Sequence, residues 1–378
     1  MIMKIINALI AGFYRWTGGA IPLPARIRIT APPVVMITGP EEYAVLWATN
    51  RRGCGDVVLT TGGETKRYRD AVSGIVRSND RLHAVRVPKE ALDSCDSYRV
   101  ENRYVCFSFS YWSLKGGRTA SREIAFRGYR GQDTVRALML ADVHGRRKIA
   151  MANAAALQED AGVPPDFILL AGDISHDYLL RQGMFNREVL RLAAKLSGGE
   201  VPCLYCRGNH ETRGQWASEM RRYFPTRTGE LYFTANYGPI YFTVLDTGED
   251  KPDHHPEYSG LADFMRYRAQ QLDWLKQLAP DTGADYRVIV CHMDNLDNAM
   301  FNDWYASLRD LRITHLLCGH THKNRSYERG GIWHYEEGGP QTASWITFRG
   351  GGICAKSVTR GGEIKDFGRL GDSQHGAH

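Results

Sequence analysis

The chain has no apolar run approaching the roughly 20 residues that span a bilayer, so no membrane-crossing helix is predicted. It has no concentrated lysine or arginine stretch, no internal repeat and no low-complexity segment. Without a basic run, the formal net charge of +6 favours anionic substrates only weakly and gives no clear nucleic-acid signal. A small-x-small cleavage site is also missing: in Met1 to Trp16 the apolar part is short, Arg15 follows closely, and Pro22 and Pro24 come next. This segment is read as a terminal helix or strand. The alternative is export, or membrane attachment through these residues. No second CxxC accompanies Cys203-Leu-Tyr-Cys206, and on a strand positions three apart point to opposite faces. The eight cysteines outline no disulfide framework; Cys206, Cys291 and Cys318, each ending an apolar run, are read as small hydrophobes, and a reduced, cytoplasmic compartment is expected.

What is present is ordinary for a soluble globular protein. The 378 residues allow two domains, or one with a sizeable accessory piece, and 8 Trp with 19 Tyr can fill large cores. Up to about residue 130 short alternating runs are broken by Gly39-Pro40, Gly62-Gly63 and Gly116-Gly117. Val34–Thr38, Tyr43–Thr49, Val57–Thr60, Leu82–Val87 and Tyr104–Tyr111 read as strands, the grammar of a β-sandwich. Trp47, and Leu92 followed six residues later by Tyr98, resemble the core tryptophan and tyrosine corner of fibronectin type III domains.

From Thr134 apolar runs alternate with segments of helical period. Strands are expected at 135–141, 167–171, 202–206, 241–245, 288–291 and 315–318, and helices at 146–160 and 178–196. A further helix is expected around Leu272, Leu275 and Leu278. Buried strands alternating with helices indicate a layered α/β domain.

Five polar clusters fall at the C-terminal ends of these strands: Asp142-Val-His144, Gly172-Asp173, Gly208-Asn209-His210-Glu211, His292 and Gly319-His320-Thr-His322. Loops at that edge can converge on one point. Carboxylate, imidazole and amide oxygen are the ligand set of divalent Mn, Fe, Co, Ni or Zn. Four histidines and three Asp/Asn residues exceed the needs of one ion, and a metal pair fits better. Any one cluster has an ordinary explanation, such as a helix N-cap at Asp173. Five in this order do not.

The series D-x-H, GD, GNHE, H and GHxH over residues 135–325 resembles the calcineurin-like metallophosphoesterase superfamily. So do Val244-Leu-Asp-Thr-Gly248 and Gln271-Leu-Asp-Trp-Leu275. The resemblance implies a four-layer α/β/β/α sandwich, preceded here by the smaller all-β sandwich. The expected units are an extension at 1–24, the fibronectin-like sandwich at 25–130, the phosphoesterase domain at 131–370 and a flexible tail at 371–378. It further implies that Asp142, His144 and His322 hold one metal and Asn209, His292 and His320 the second, with Asp173 bridging. His210 would face the scissile phosphate, stabilising the transition state or protonating the leaving group after attack by a metal-bridging hydroxide.

Around this set, Glu211 is either the partner that orients His210 or a charge at a turn; His176 either supports the site or opens the next helix. Arg207 and Arg213 could meet a phosphate oxygen, and His254 and His255 lie in a polar insertion that could line the cleft or be a solvated loop. A fibronectin-like domain ahead of such a site resembles the layout of purple acid phosphatases. That family has D-x-G where this chain has Asp142-Val-His144, and a tyrosine ligand where it has His176, so no purple iron–tyrosinate centre is expected. Two rivals remain. One is a specialised or inactive phosphoesterase-fold binding module, whose mark would be lost ligands; all seven ligand positions and His210 are occupied. The other makes the N-terminal strands an adhesion or carbohydrate-binding module, which would need exposed aromatic stripes.

Overall fold

The computed structural model describes residues 2–18, 20–109, 112–294, 304–359 and 361–371. The chain opens with helix α1 (Ile2–Thr17), then strands β1 (Ala20–Pro22), β2 (Ile29–Ile37), β3 (Glu42–Thr61), β4 (Glu64–Arg69), the small hairpin β5 (Ala71–Val72) and β6 (Ile75–Val76), and β7 (Asp80–Pro88). A short helix α2 (Lys89–Asp93) leads to β8 (Ser97–Phe109) and β9 (Trp112–Ala120). Alternation follows: β10 (Val135–Leu140), α3 (Arg147–Ala161), β11 (Phe167–Ala171), α4 (Gln182–Phe185), α5 (Arg191–Ser197) and β12 (Cys203–Cys206). Next come β13 (Phe233–Tyr237), β14 (Ile240–Val244), α6 (Phe264–Leu275), β15 (Tyr286–Val290), α7 (Tyr305–Asp310) and β16 (His315–Cys318). The antiparallel strands β17 (Arg325–Arg329), β18 (Ile332–Glu336), β19 (Ala343–Arg349), β20 (Gly352–Val358) and β21 (Ile364–Arg369) close the chain.

Two sheets carry the fold. One has thirteen strands, in the order β1-β9-β8-β3-β2-β12-β11-β10-β19-β20-β21, with β4 and β7 also on β3; the other runs β13-β14-β15-β16-β18-β17. The strands bearing the polar clusters, β10, β11, β12, β15 and β16, pair in parallel with one another within their sheets. Alternation along them sorts side chains between two cores. Ala137, Met139, Phe167 and Leu169 pack in one cluster with Phe242, Val244, Val288 and Val290 of the second sheet. Leu138, Leu140, Ile168 and Leu170 pack in another with Ala150, Ala154 and Leu157 of α3 and Leu192 and Ala193 of α5. The far side of the second sheet, Ile289, Leu316 and Cys318, meets Leu275 of α6 and Leu308 of α7. Such burial on both faces is why these strands read as continuous apolar runs.

The strands expected within 25–130 are present among the described residues, and they continue the sheet of β10, β11 and β12. β2 pairs in parallel with β12, Met36 opposite Cys203, so the N-terminal strands extend the sheet that carries the metal-type clusters. Cores are shared as well: Val35, Trp47 and Tyr98 fall with Phe167 and Phe242, and Val34 and Leu46 with Leu170 and Leu192. The Tyr98 hydroxyl, expected to close a corner within its own domain, donates to the Gly199 carbonyl after α5 at 2.8 Å. A β2 edge left open would expose unpaired backbone groups, and β12 covers it.

Three local differences stand out. The two runs at 43–49 and 57–60 belong to one long strand, β3, irregular between Ala48 and Gly53. The last two residues of the run 104–111, and the tail beyond Gly371, lie outside the described residues. The helix expected from Tyr178 starts only at Gln182, and Asn186–Leu190 within it is a π-helical turn. Leu179 cannot join that helix because its N–H donates to the Arg213 carbonyl (2.7 Å) and its carbonyl accepts from Trp216 (2.9 Å). No disulfide joins the described cysteines, and Cys203 and Cys206 sit in different cores, as strand alternation requires.

Candidate metal centre

Each cluster follows the last residue of a strand, where the backbone turns sharply. Asp142, His144, Asp173, His320 and His322 all have positive φ, between 45° and 80°. Side chains rarely adopt that region, and holding one there costs about 1–3 kcal/mol. Gly172, at φ 89°, is a site only glycine fits: a Cβ would stand 2.5 Å from His292 Nδ1 and 2.8 Å from the Gly208 Cα. The close approach brings the ends of β11, β12 and β15 together.

The side chains converge. Asp142 is fully buried; its Oδ1 lies 3.2 Å from His322 Nε2, 3.7 Å from His144 Nε2 and 3.8 Å from His292 Nε2. Its Oδ2 accepts from the His320 amide at 2.7 Å. Asp173 Oδ2 lies 3.2 Å from His292 Nε2 and 3.7 Å from His210 Nε2. Three sets have donor atoms close enough for one ion: Asp142, His144 and His322; Asp142, Asp173 and His292; and His144, Asp173 and His210.

Whether this suits a cation is decided by where the protons sit. His292 Nδ1 lies 2.9 Å from the Ala171 carbonyl, and His144 Nδ1 lies 3.2 Å from the His176 carbonyl. Both carbonyls favour a proton on Nδ1 and turn Nε2 inward, towards the carboxylates. His144 and His322 face one another Nε2 to Nε2 at 3.3 Å. The Asn209 amide points one end at His320 Nδ1 (3.3 Å), His292 Nε2 (3.1 Å) and Asp173 Oδ2 (3.2 Å). With its oxygen there, four lone-pair atoms meet; with its nitrogen there, the amide donates to them and its oxygen faces Arg213 Nη2 at 3.0 Å. A divalent cation among those atoms selects the first orientation. The electrostatics agree: burial opposes charge on Asp142, yet His292, His144 and His322 hold its carboxyl well below the usual range. Burial would lower the His292 pKa, but with no cation between the carboxylates, Asp173 and Asp142 push it up to about 10, so a proton sits on Nε2 where a divalent ion would take its place. Two buried carboxylates demand positive charge where they meet, and the donor set fits divalent metal.

His210 lies beside this cluster, its ring 4.6 Å from that of His144 and edge-on to it. Its Nδ1 is 3.0 Å from the His176 carbonyl, so one carbonyl fixes both His144 and His210. Burial, opposed by Asp173, lowers the His210 pKa.

The residues around the cluster brace its turns or face solvent. Glu211 does not orient His210; fully buried, it accepts from the amides of Gly208 (2.9 Å), Asp173 (2.9 Å) and Ser175 (2.7 Å), clamping two turns together. His176 acts through its backbone, while its exposed ring pairs with Asp177. Arg207 and Arg213 are taken by carboxylates, Arg207 by Asp246 and Arg213 by Glu249 in two contacts of 2.7 and 3.0 Å. His254 is exposed, and His255 accepts from the Glu257 amide at the short turn Pro256–Tyr258. Neither joins the cluster.

Three buried acids were missed. Glu188, on the π-helical turn, accepts from the His176 amide at 2.8 Å and so steadies the carbonyl that fixes two histidines. Glu249 ties the 247–270 insertion to Arg213 and Thr212. Glu337 accepts from Ala141 (3.3 Å), Gly339 and Thr342 behind Asp142, and burial pushes its pKa up to about 8. Only Glu337, in Glu336-Glu337-Gly338-Gly339-Pro340, had a signal: two acids after an apolar strand and before a turn.

Parallel strands whose ends gather buried aspartates, inward-facing imidazoles and an amide define a metal-dependent phosphoric ester hydrolase. The calcineurin-like phosphoesterase model matches residues 135–324, half the chain, and the chain belongs to that family. No curated protein matches it. Among solved structures, it is similar to GAP50, the anchor in the inner membrane complex of Plasmodium (13% identity, 64% of this chain and 91% of that one, TM-score 0.42). Others are TT1561 of Thermus thermophilus (14%, 62% and 99%, TM-score 0.35) and phosphopantetheinyl hydrolase from Mycobacterium tuberculosis (15%, 55% and 91%, TM-score 0.34).

Proposed function

We propose that the chain hydrolyses a phosphate ester at a binuclear metal centre within a four-layer α/β/β/α arrangement. Asp142, His144 and His322 would hold one ion and Asn209, His292 and His320 the other, with Asp173 available to both. The observation that carries this reading is the meeting of inward-facing imidazole nitrogens with two buried carboxylates and one amide. Two divalent ions supply charge neutralisation at the phosphoryl oxygens and a water acidic enough to attack near neutral pH.

The chain's own groups do the rest. The His176 carbonyl keeps the His210 proton on Nδ1 and presents Nε2 to the phosphoryl group. A proton taken up on Nε2 offsets charge on an equatorial oxygen, or passes to the leaving alkoxide. Burial disfavours that proton in the resting site, so it is held best when the anionic ester lies against the ring. Glu211 keeps the Asp173 and Gly208 turns in register, and Glu249 fixes Arg213 beside Asn209.

The test is Mn²⁺-dependent hydrolysis of bis(p-nitrophenyl) phosphate and p-nitrophenyl phosphate, with bound metal counted by mass spectrometry. Turnover abolished by chelation and by Asp173→Asn supports the reading, and the preferred ester separates diester from monoester work. Full metal occupancy with neither ester turned over would move the reading to a binding role; failure to take up metal would sink it.

A further inference from the structure

We infer that α1 is a surface anchor that seats this protein on an anionic lipid bilayer, lying in the headgroup plane. Two independent features carry it, a two-faced helix and a segment of one charge sign. At about 100° per residue, Lys4, Asn7, Ala11 and Arg15 line one face of α1, and Ile2, Ile5, Ile6, Leu9, Phe13 and Trp16 spread across the opposite one. Ile2, Ile5, Leu9 and Trp16 are more than half exposed, Trp16 at 86%, whereas a helix of this pattern in a globular protein turns its apolar face to the core. Its 16 residues span about 24 Å, short of the roughly 30 Å of a hydrocarbon core. No described helix is long and apolar enough to cross a membrane. The helix can lie on a bilayer, with its isoleucines and leucine among the acyl chains and the Trp16 indole at the interface.

Charge selects an anionic lipid surface over a second protein face. The first forty residues carry four cations, Lys4, Arg15, Arg26 and Arg28, and the first acid is Glu41. The helix root holds more. β1 runs parallel to β9 with Pro22 opposite Lys115, and the Arg51 side chain donates to the Arg26 carbonyl at 3.0 Å. Arg26, Arg28, Arg51, Arg52 and Arg118 are exposed around that root. A patch of this kind attracts anionic headgroups within a Debye length.

The measurement is flotation of the full-length chain with phosphatidylcholine vesicles, with and without phosphatidylglycerol. The protein should float with the anionic vesicles, and the bound fraction should fall as salt rises. Leu9→Glu should weaken partitioning at least about tenfold. Lys4→Gln with Arg15→Gln should cost roughly tenfold on anionic vesicles and nothing on neutral ones. Neither change touches the cores, so the thermal melt should stay put. The inference is overturned if the chain floats with neither vesicle, or if Leu9→Glu floats like the wild type. It is equally overturned if copies pair through the helix, seen as a dimer dissolved by Leu9→Glu while vesicles stay free of protein.

Discussion

The strands before residue 121 and β10, β11 and β12 share one sheet but use it differently. The first set pairs antiparallel through β2, β3, β7, β8 and β9, with well-filled interiors such as Trp47 stacked on His83 and bonded to Asn102 at 2.7 Å. The second set pairs in parallel, as do β15 and β16 in the other sheet, and each of these chemistry-bearing strands ends in a tight polar turn. Among the described residues, eight non-glycines have positive φ; five are candidate ligands, and only Ser73 belongs to the N-terminal strands. Backbone strain is therefore concentrated where function is. The N-terminal strands contribute buried area, an extended sheet and a tie through Tyr98, which helps a strained rim hold its shape.

The largest expected effect falls on the strained side. Asp173→Asn should lower turnover on the order of a thousandfold, with little change in melting temperature; a collapse in stability instead would show that the strained turn depends on that carboxylate to fold. The next falls on the other side and depends on pH. Burial lowers the His83 pKa from 6.5 to about 4, opposed by Asp80 and aided by Arg77. The unfolded chain then binds more protons between those values, so the contribution is complete above pH 6.5 and lost as pH falls towards 4. That loss amounts to about 3 kcal/mol. His83→Phe should flatten the slope of denaturant midpoint against pH over this window; an unchanged slope would clear His83.

A smaller effect returns to the strained rim. Glu211→Gln keeps the shape but sets an amide group against backbone N–H donors, and metal affinity by calorimetry should drop roughly 10- to 100-fold. Smallest is Tyr98→Phe, which strips the Gly199 carbonyl of its partner and should cost about 1–2 kcal/mol. Calorimetry of this variant sharpens the comparison most. One transition, lowered as a whole, means that the two sets of strands unfold together; two transitions, with only one lowered, would restore the separate sandwich.

The sequence made the site more legible than the architecture, for a physical reason. Asp142, His144, Asp173, Asn209, His292, His320 and His322 stand out because polar residues follow apolar runs at strand ends, a local signal that parallel strands impose. Individual N-terminal strands were equally visible. Their partnership was not, because pairing Met36 with Cys203 leaves no mark on either stretch. Trp47 and Tyr98 read as a self-contained module because the Tyr98 corner looks the same in sequence whether its hydroxyl turns inward or reaches Gly199. Glu188 and Glu249 escaped for a similar reason: a lone acid reads as surface until the fold buries it against a particular amide or guanidinium. The helix start slipped from Tyr178 to Gln182 because the 213–216 turn claims the Leu179 backbone.

The pairing of β2 with β12 also sets a timetable. Ribosomes make the chain from the N-terminus, so Val34 to Ile37, fully apolar and buried in the finished protein, emerge about 170 residues before the strand that covers them. At translation speeds of about 5–20 residues per second, that edge waits roughly ten to thirty seconds for its neighbour. During that wait the nascent protein presents a sticky ribbon to other chains, and expression yield should respond to chaperone supply and to slower or faster codons between β2 and β12.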